Sequence, residues 1–439
     1  MAPFLSLLVA FSGLQGCRDP GDDTGGPQGR DTGVEQVPAA DGVSTWQDPP
    51  LCHVEVSCTQ EIPDEPKVPC HLLVAAHDGT VSYDGPAGFE LRGRSSLSFP
   101  KHNYAVELWE DETGIRTVSH DFFEMGGEDD WILHGGYVDR SLMRDKLIFD
   151  LFQSMGGMDR YAPQQVFCEL TLDGSWQGIY TLREHIRRDD DRLDLEDSES
   201  AFIVKNDDDE GGLLEASPVY GMWFLVWPDP EDAPPARVEA IRQFLDTWQD
   251  IVEASSQDDP DPTLYDFIDM DNAIDWILIQ EFAKNHDTYF LSVWAWKDAA
   301  GRMRLIPWDI DLSFGYPYYD CGWEGWIKGR TEFAWKLGQV PAFQERIVER
   351  WAELRSGVLA TDAVLGRMAA YRAILGDTVY QNFEVWPFEE IEFVWGDTSW
   401  LCPVESYDAE YEGMRTWAAE RLLWMDTWVA HWWTGAPNL

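Results

Sequence analysis

Three aspartates carry the first sign of chemistry. Asp287 sits in a polar cluster with Lys284, Asn285 and His286, and Asp309 and Asp311 come after two apolar and aromatic runs. Those runs, Tyr289 to Trp296 and Met303 to Trp308, are separated by a turn over Lys297 to Gly301. Strand-like runs joined by a short Gly-containing loop predict a β-hairpin. A hairpin brings the chain back to its starting point, so Asp287 and Asp309 are expected to be neighbours. Asp309 and Asp311, two apart at the end of an extended strand, are expected to point to one side. One acid placed to orient a hydroxyl, facing acids that hold Mg²⁺ or Mn²⁺ in an all-oxygen site, is the arrangement phosphoryl transfer requires. A structural aspartate capping the hairpin end accounts for one of the three. Carboxylates in an apolar stretch are costly to bury without a partner, which weighs toward a metal site for the set.

The elements that must hold this hairpin lie on both sides of it. Residues 72–110 alternate or run apolar between Gly and Pro breaks, as antiparallel strands do. A helix is predicted from Ser141 to Met155, with Ser141 as its cap. Two strands follow, Gln165 to Leu172 and Gly178 to Arg183, joined by Asp173-Gly174, a favoured hairpin turn. Residues 187–233 are acidic and broken; Asp207, Asp208 and Asp209 before Gly211-Gly212 are a candidate Ca²⁺ loop, although a charge run is more often solvated surface. Helices are predicted at 236–254, 271–284, 341–355, 361–375 and 408–432. The fold class is therefore α+β, mainly β before the central hairpin and mainly α after it.

Composition limits the partners. The chain has 439 residues, 44% hydrophobic with 23 Trp, enough for a large domain or two lobes around a substantial core. With 32 basic and 80 acidic residues the formal charge is -48, which repels nucleic-acid backbones and anionic membranes. No nucleic-acid partner is expected. Basic peptides and divalent cations would be attracted, although the same acidity also serves plain solubility.

The N-terminus reads as an export address. The apolar core Pro3 to Phe11 is far too short to span a bilayer. It leads to Leu14-Gln15-Gly16-Cys17, which resembles the lipobox of bacterial lipoproteins and implies cleavage before Cys17 and acylation of its thiol. No Lys or Arg precedes the apolar core, and Gln15 is larger than the residue usual there. The simpler reading is an ordinary secretory signal. Residues 17–48 are rich in Asp, Gly, Pro and Thr and are expected to be a flexible tether. The remaining Cys52, Cys58, Cys70, Cys168, Cys321 and Cys402 form an even set, expected to supply up to three disulfides with pairing left open. His53 and His71 beside the first three make zinc conceivable, but the spacing matches no usual zinc module.

Five ordered blocks then carry a family resemblance: RGRSSLSFPKHNYAVEL, DWILHGGYVDRSLMRDKLIFDLF, VFCELTLDGSWQGIYTLREHI, DTYFLSVWAWKD and IPWDIDLSFG. Together they resemble the CotH family of spore-coat and secreted kinases, from about Leu72 to Gly315 and more weakly beyond. The resemblance implies an atypical protein-kinase-like fold of two lobes, about 49–230 and 231–435. It also implies ATP and a divalent metal used to phosphorylate serine in proteins. Asp287 matches the family's catalytic acid and Asp309 its metal-binding acid, with Asp311 two residues on. Ser292 stands where a conventional kinase places a metal-binding Asn. Lys101, Arg92, Arg94 and Arg144 are candidate partners of the ATP phosphates, and Glu184 a candidate carboxylate to orient one of them. Tyr180 matches an aromatic set against adenine, and Met303 takes the facing position. For each of these first-lobe residues a salt bridge or core role is the competing reading.

Other chemistries fit less well. The sequence has no GxxxxGK[ST], GxSxG or HExxH motif. Paired carboxylates and many Trp suit a glycosidase, but the Asp-hairpin-Asp layout resembles a metal site more than two acids facing across a sugar. Two readings of different class remain: an exported serine or threonine kinase, lipid-anchored in the cell envelope or secreted, and a non-catalytic CotH-like surface protein serving adhesion or envelope structure.

Overall fold

Apolar residues alternate along the early strands so that one face of each packs inward, and the resulting sheet closes on itself. The computed structural model describes residues 48–207, 214, 222–255, 263–285, 288–289, 291–299, 301–315, 321–327, 332–388 and 404–434. In chain order the first strands are β1 (Cys52–Cys58), β2 (Val68–Ala75), β3 (Val81–Arg92), β4 (Asn103–Leu108), the short pair β5 (His120–Asp121) and β6 (Gly127–Glu128), β7 (Asp130–His134), β8 (Gln165–Leu172) and β9 (Ser175–Glu184). Seven of them form a closed barrel in the order β1-β2-β3-β4-β7-β9-β8, sealed where β1 meets β8 in parallel. Closure leaves no free edge to template aggregation. Val54, Val56, Leu72, Val74, Phe89, Val106, Leu133, Val166 and Leu182 fill the interior.

The β8–β9 turn follows from its residues. Asp173 and Gly174 both have positive φ, 48° and 75°, as a two-residue hairpin turn demands and as Asp-Gly tolerates. The Asp173 carboxylate also accepts from Cys58 N at 2.8 Å, tying the turn to the end of β1.

Helix α1 (Arg144–Gly156) starts three residues later than predicted, and Ser141 is not its cap. Asp139 takes that role: its carboxylate accepts from Ser141 N at 2.9 Å and Arg144 N at 2.8 Å. A carboxylate reaches further than a hydroxyl and adds charge at the positive end of the helix, so it displaces the serine.

The expected central hairpin exists. β12 (Val293–Lys297) pairs antiparallel with β13 (Arg304–Ile306), Trp294 opposite Ile306. It does not stand alone. The acidic stretch expected to be loop contributes β10 (Phe202–Asn206) and β11 (Trp223–Trp227), giving a sheet ordered β11-β10-β12-β13. Acidic neighbours masked two short apolar runs that pair with each other and, through β10, with the distant β12. Of the Ca²⁺ candidates, Asp208 and Asp209 lie outside the described residues.

The helices are α2 (Pro235–Ala254), α3 (Leu264–Phe267), α4 (Met270–Ala283), α5 (Glu332–Leu337), α6 (Pro341–Arg355), α7 (Thr361–Leu375), α8 (Thr378–Val385) and α9 (Tyr407–Trp428). Five of these were predicted to within two residues at their starts. α4 is buried on all sides, so it was legible as an apolar run rather than as an amphipathic stripe. Asp269 caps it by accepting from Asn272 N, and Lys284 ends it in the left-handed conformation. Among the described residues no helix is long and apolar enough to cross a membrane.

Cys58 and Cys70 form a disulfide between β1 and β2, and Cys321 is also disulfide-bonded. The Cys58–Cys70 bond removes two of the sulfurs that a zinc site in this cluster would have used. Cys52 and Cys168 are buried free thiols. Cys17, with the signal and tether, and Cys402 lie outside the described residues.

Candidate active site

The end of α4, the start of β12 and the segment after β13 meet at one place. Phe314 N donates to Ala283 O at 2.8 Å, and Asn285 Nδ2 donates to Asp309 O at 3.1 Å. The residues on either side of 286–287 are anchored: Asn285 Nδ2 donates to Thr288 Oγ1, and Thr288 Oγ1 donates to Gln280 Oε1 at 2.6 Å. His286 and Asp287 themselves lie outside the described residues.

Asp309 is half-buried, with φ of 57°. Its Oδ2 accepts from the Ser292 hydroxyl at 3.3 Å, and Ser292 likewise has positive φ, 56°. Of the nine non-glycine residues with positive φ among those described, five (Lys284, Tyr289, Ser292, Asp309 and Phe314) fall in this stretch. Such backbone costs free energy and persists where the surroundings enforce it, often at functional sites. The strand argument for Asp311 does not hold. β13 ends at Ile306, before Pro307, which has no N–H to offer a ladder, and the left-handed turn at Asp309 breaks the alternation. Asp309 and Asp311 are nonetheless both half-buried on either side of the fully buried Ile310.

α1 supplies the third side. Asp145 Oδ1 accepts from Ile310 N at 2.7 Å, and its Oδ2 accepts from Arg183 at 2.6 Å. The Arg183 guanidinium lies over the Trp308 ring, 4.7 Å from its centre, and donates to the His134 imidazole at 3.2 Å. Arg92 approaches the same ring at 5.7 Å. Burial pushes the Arg92 guanidinium down to about 9; repulsion from Arg183 adds to this, and Asp309 opposes it. Burial, with Arg183, Arg92 and Lys101 nearby, pushes His134 well below its ordinary value and keeps its ring neutral. Two guanidiniums are thus crowded beside Asp309, with Asp145 pairing one of them.

The other candidates named from the sequence occupy different positions. Lys101 is buried, donates to Ile179 O at 2.6 Å and Asn382 Oδ1 at 3.1 Å, and sits 4.8 Å over the Tyr180 ring. Among the described residues it has no carboxylate partner, and burial pushes its amine down to about 7. Arg94 is exposed beyond the end of β3. Arg144 is fully buried and holds Asp139, Glu410 of α9 and Ser313 O together. Burial works against its charge, but Glu410 and Asp139 raise it above its ordinary value. It is a strut between α1 and α9 rather than a free phosphate ligand. Glu184 pairs with none of Lys101, Arg92, Arg94 or Arg144; it accepts from Tyr161 Oη at 3.1 Å and Gln164 N at 3.0 Å.

Tyr180 and Met303, expected to face adenine, lie in separate apolar cores. Tyr180 is 2% exposed inside the barrel, stacked against Tyr104 with ring centres 6.4 Å apart. Met303 is fully buried in the other apolar core, and its backbone pairs with Phe267 and Asp269 near the hairpin turn. A cavity of about 20 Å³ beside Tyr180, lined in part by Gly135, Asp139, Gln165 and Thr181, has room for about one water molecule.

The family model described as CotH kinase protein matches residues 89–425. The chain belongs to the CotH kinase family. The match begins near the end of β3, takes in the later barrel strands and runs into α9, so the resemblance seen in five blocks extends past Gly315. No curated protein matches the chain.

Sequence reasoning passed over Arg183, Asp145 and Trp308 of this CotH site. Attention to the alternation of β9 would have found Arg183: Tyr180 and Leu182 face the barrel interior, so Thr181 and Arg183 face away from it. Asp145 was hidden beside the more conspicuous Arg144.

Proposed function

We propose that this CotH family protein is an exported kinase that uses ATP and a divalent cation to phosphorylate serine or threonine in envelope, coat or secreted proteins. The observation that carries this reading is the Ser292–Asp309 contact at 3.3 Å beside Arg92 and Arg183. Carboxylate and hydroxyl oxygens are the donors that Mg²⁺ or Mn²⁺ takes. Asp309, Asp311 and Ser292 would hold the cation. When bound, it neutralises charge developing on phosphate oxygens. Asp287 is assigned the role of orienting the attacking hydroxyl. Arg92 and Arg183 would meet the phosphates; Lys101 is close to Tyr180 but already engaged. Lipidation at Cys17 would hold the domain at a membrane surface, with the acidic tether as spacer.

A second reading is a non-catalytic surface protein on the same fold. The burial of Tyr180 and Met303 favours it, because neither offers a face to a purine. Calorimetric titration of ATP in the presence of Mn²⁺ tests the choice. Binding that weakens at least tenfold in Asp309→Asn supports the kinase; no binding to the wild-type protein supports the surface role.

A further inference from the structure

We propose that Cys52 and Cys168 form a disulfide that locks the barrel at its seam. Cys52 on β1 stands directly beside Cys168 on β8, in the parallel pairing that closes the barrel. Residues paired this way project to the same face, and neighbouring strands lie about 4.8 Å apart, within the Cα spacing a disulfide accepts. Both side chains are fully buried in the barrel interior, and Cys52 is among the neighbours that hold the Cys168 thiol above its ordinary value. β1 already carries one cross-strand bond, Cys58–Cys70, with Cα atoms 4.3 Å apart. That bond shows that the barrel accommodates such a link between adjacent strands. With the second bond, β1 would be fastened to both neighbours, β2 at its end and β8 at its start.

The step balances without a bound cofactor. Two thiols and an external disulfide, R–S–S–R, give the Cys52–Cys168 bond and two R–SH. The two electrons pass to the oxidant's sulfurs and the protons leave with the released thiols. Burial pushes the Cys168 thiol well up, and thiolate is the attacking form. Exchange is therefore slow once the barrel has closed, and the bond forms as β1 and β8 come together. Its position also matters, because Cys168 is paired across β8–β9 with Tyr180, over which Lys101 sits.

The test is peptide mapping of the full chain produced in an oxidising compartment, denatured without reductant and treated with iodoacetamide. We expect a linked peptide pair containing Cys52 and Cys168 that disappears on reduction; carbamidomethylation of both residues overturns the proposal. Melting gives a second readout. Wild type should melt roughly 5–10 °C above Cys52→Ala/Cys168→Ala without reductant, and the gap should narrow with reductant in both samples. An unchanged gap assigns the two positions to packing alone and overturns the cross-link.

Discussion

The Ser292 hydroxyl donates to Asp309 Oδ2 at 3.3 Å across 17 positions of chain, and both residues hold left-handed backbone. The hairpin between them explains the approach, and the neighbouring anchors explain why the backbone stays strained. Asn285 holds Asp309 O, Asp145 holds Ile310 N, and Phe314 N is bonded to Ala283 O. The carboxylate and hydroxyl are thus presented by a frame that does not need a ligand to form it.

Ser292 is expected to act as a weak cation ligand. Ser292→Ala should raise the Mn²⁺ concentration for half-maximal activity by roughly 3–10-fold, with little change in melting temperature. Ser292→Asn, which keeps an oxygen donor and tolerates positive φ, should recover most of that loss. Metal titration of the three proteins checks this; identical curves would remove Ser292 from the site.

Arg183 and Arg144 should separate in their effects. Arg183→Met also leaves the buried Asp145 without its partner, so beyond a loss of stability it is expected to weaken ATP binding about tenfold, and Arg183→Lys to recover part of both, since charge is the shared property. Arg144→Met should instead destabilise the fold by about 3–5 kcal/mol by leaving Asp139 and Glu410 without their buried partner. Below its melting point, its nucleotide affinity should stay within about twofold of wild type. Calorimetry and denaturant titration on each variant decide the matter.

Burial raises Glu184 from the ordinary 4.5 to about 7, with Arg192 opposing the rise. The folded state therefore binds a proton that the unfolded state has released. This contribution to stability is full below about pH 4.5 and is lost as pH rises through about 7. Glu184→Gln should flatten the stability profile between pH 5 and 8, where the wild-type profile falls by up to about 3 kcal/mol from this group. Glu128, also raised to about 7, is present in both proteins and cancels in the comparison. Parallel profiles would contradict the assignment.

A formal charge of -48 should steer basic substrates. Lys/Arg-rich serine peptides are expected to be phosphorylated faster than acidic ones at low salt, with the preference shrinking as salt is added. Equal rates at low salt would count against charge steering.

Local patterns announced much of this fold. The Asp173-Gly174 turn, the hairpin strands and the long helices follow from turn chemistry and periodicity, which act within a few residues. β10 and β11 were invisible because they are short apolar runs in an acidic stretch, and the strand that ties them to the hairpin, β12, lies far along the chain. The site was legible as a place, through Asp309, but of its two cations only Arg92 was and Arg183 was not. Arg144 and Glu184 drew attention by type, and only tertiary contacts reveal that Glu410 and Asp139 engage the first while Tyr161 and Gln164 engage the second. The surroundings of Tyr180 were hidden for a related reason: alternation fixes which residues share a face, but barrel closure decides that this face is inside.

Transfer of label from γ-labelled ATP with Mn²⁺, to the protein itself and to a basic serine peptide, tests the central claim most directly. Wild type should incorporate label, and Asp309→Asn should lose at least about a hundredfold while remaining folded. Absence of transfer by the wild-type protein, or equal labelling of both, would contradict a cation held at Asp309 as the centre of catalysis.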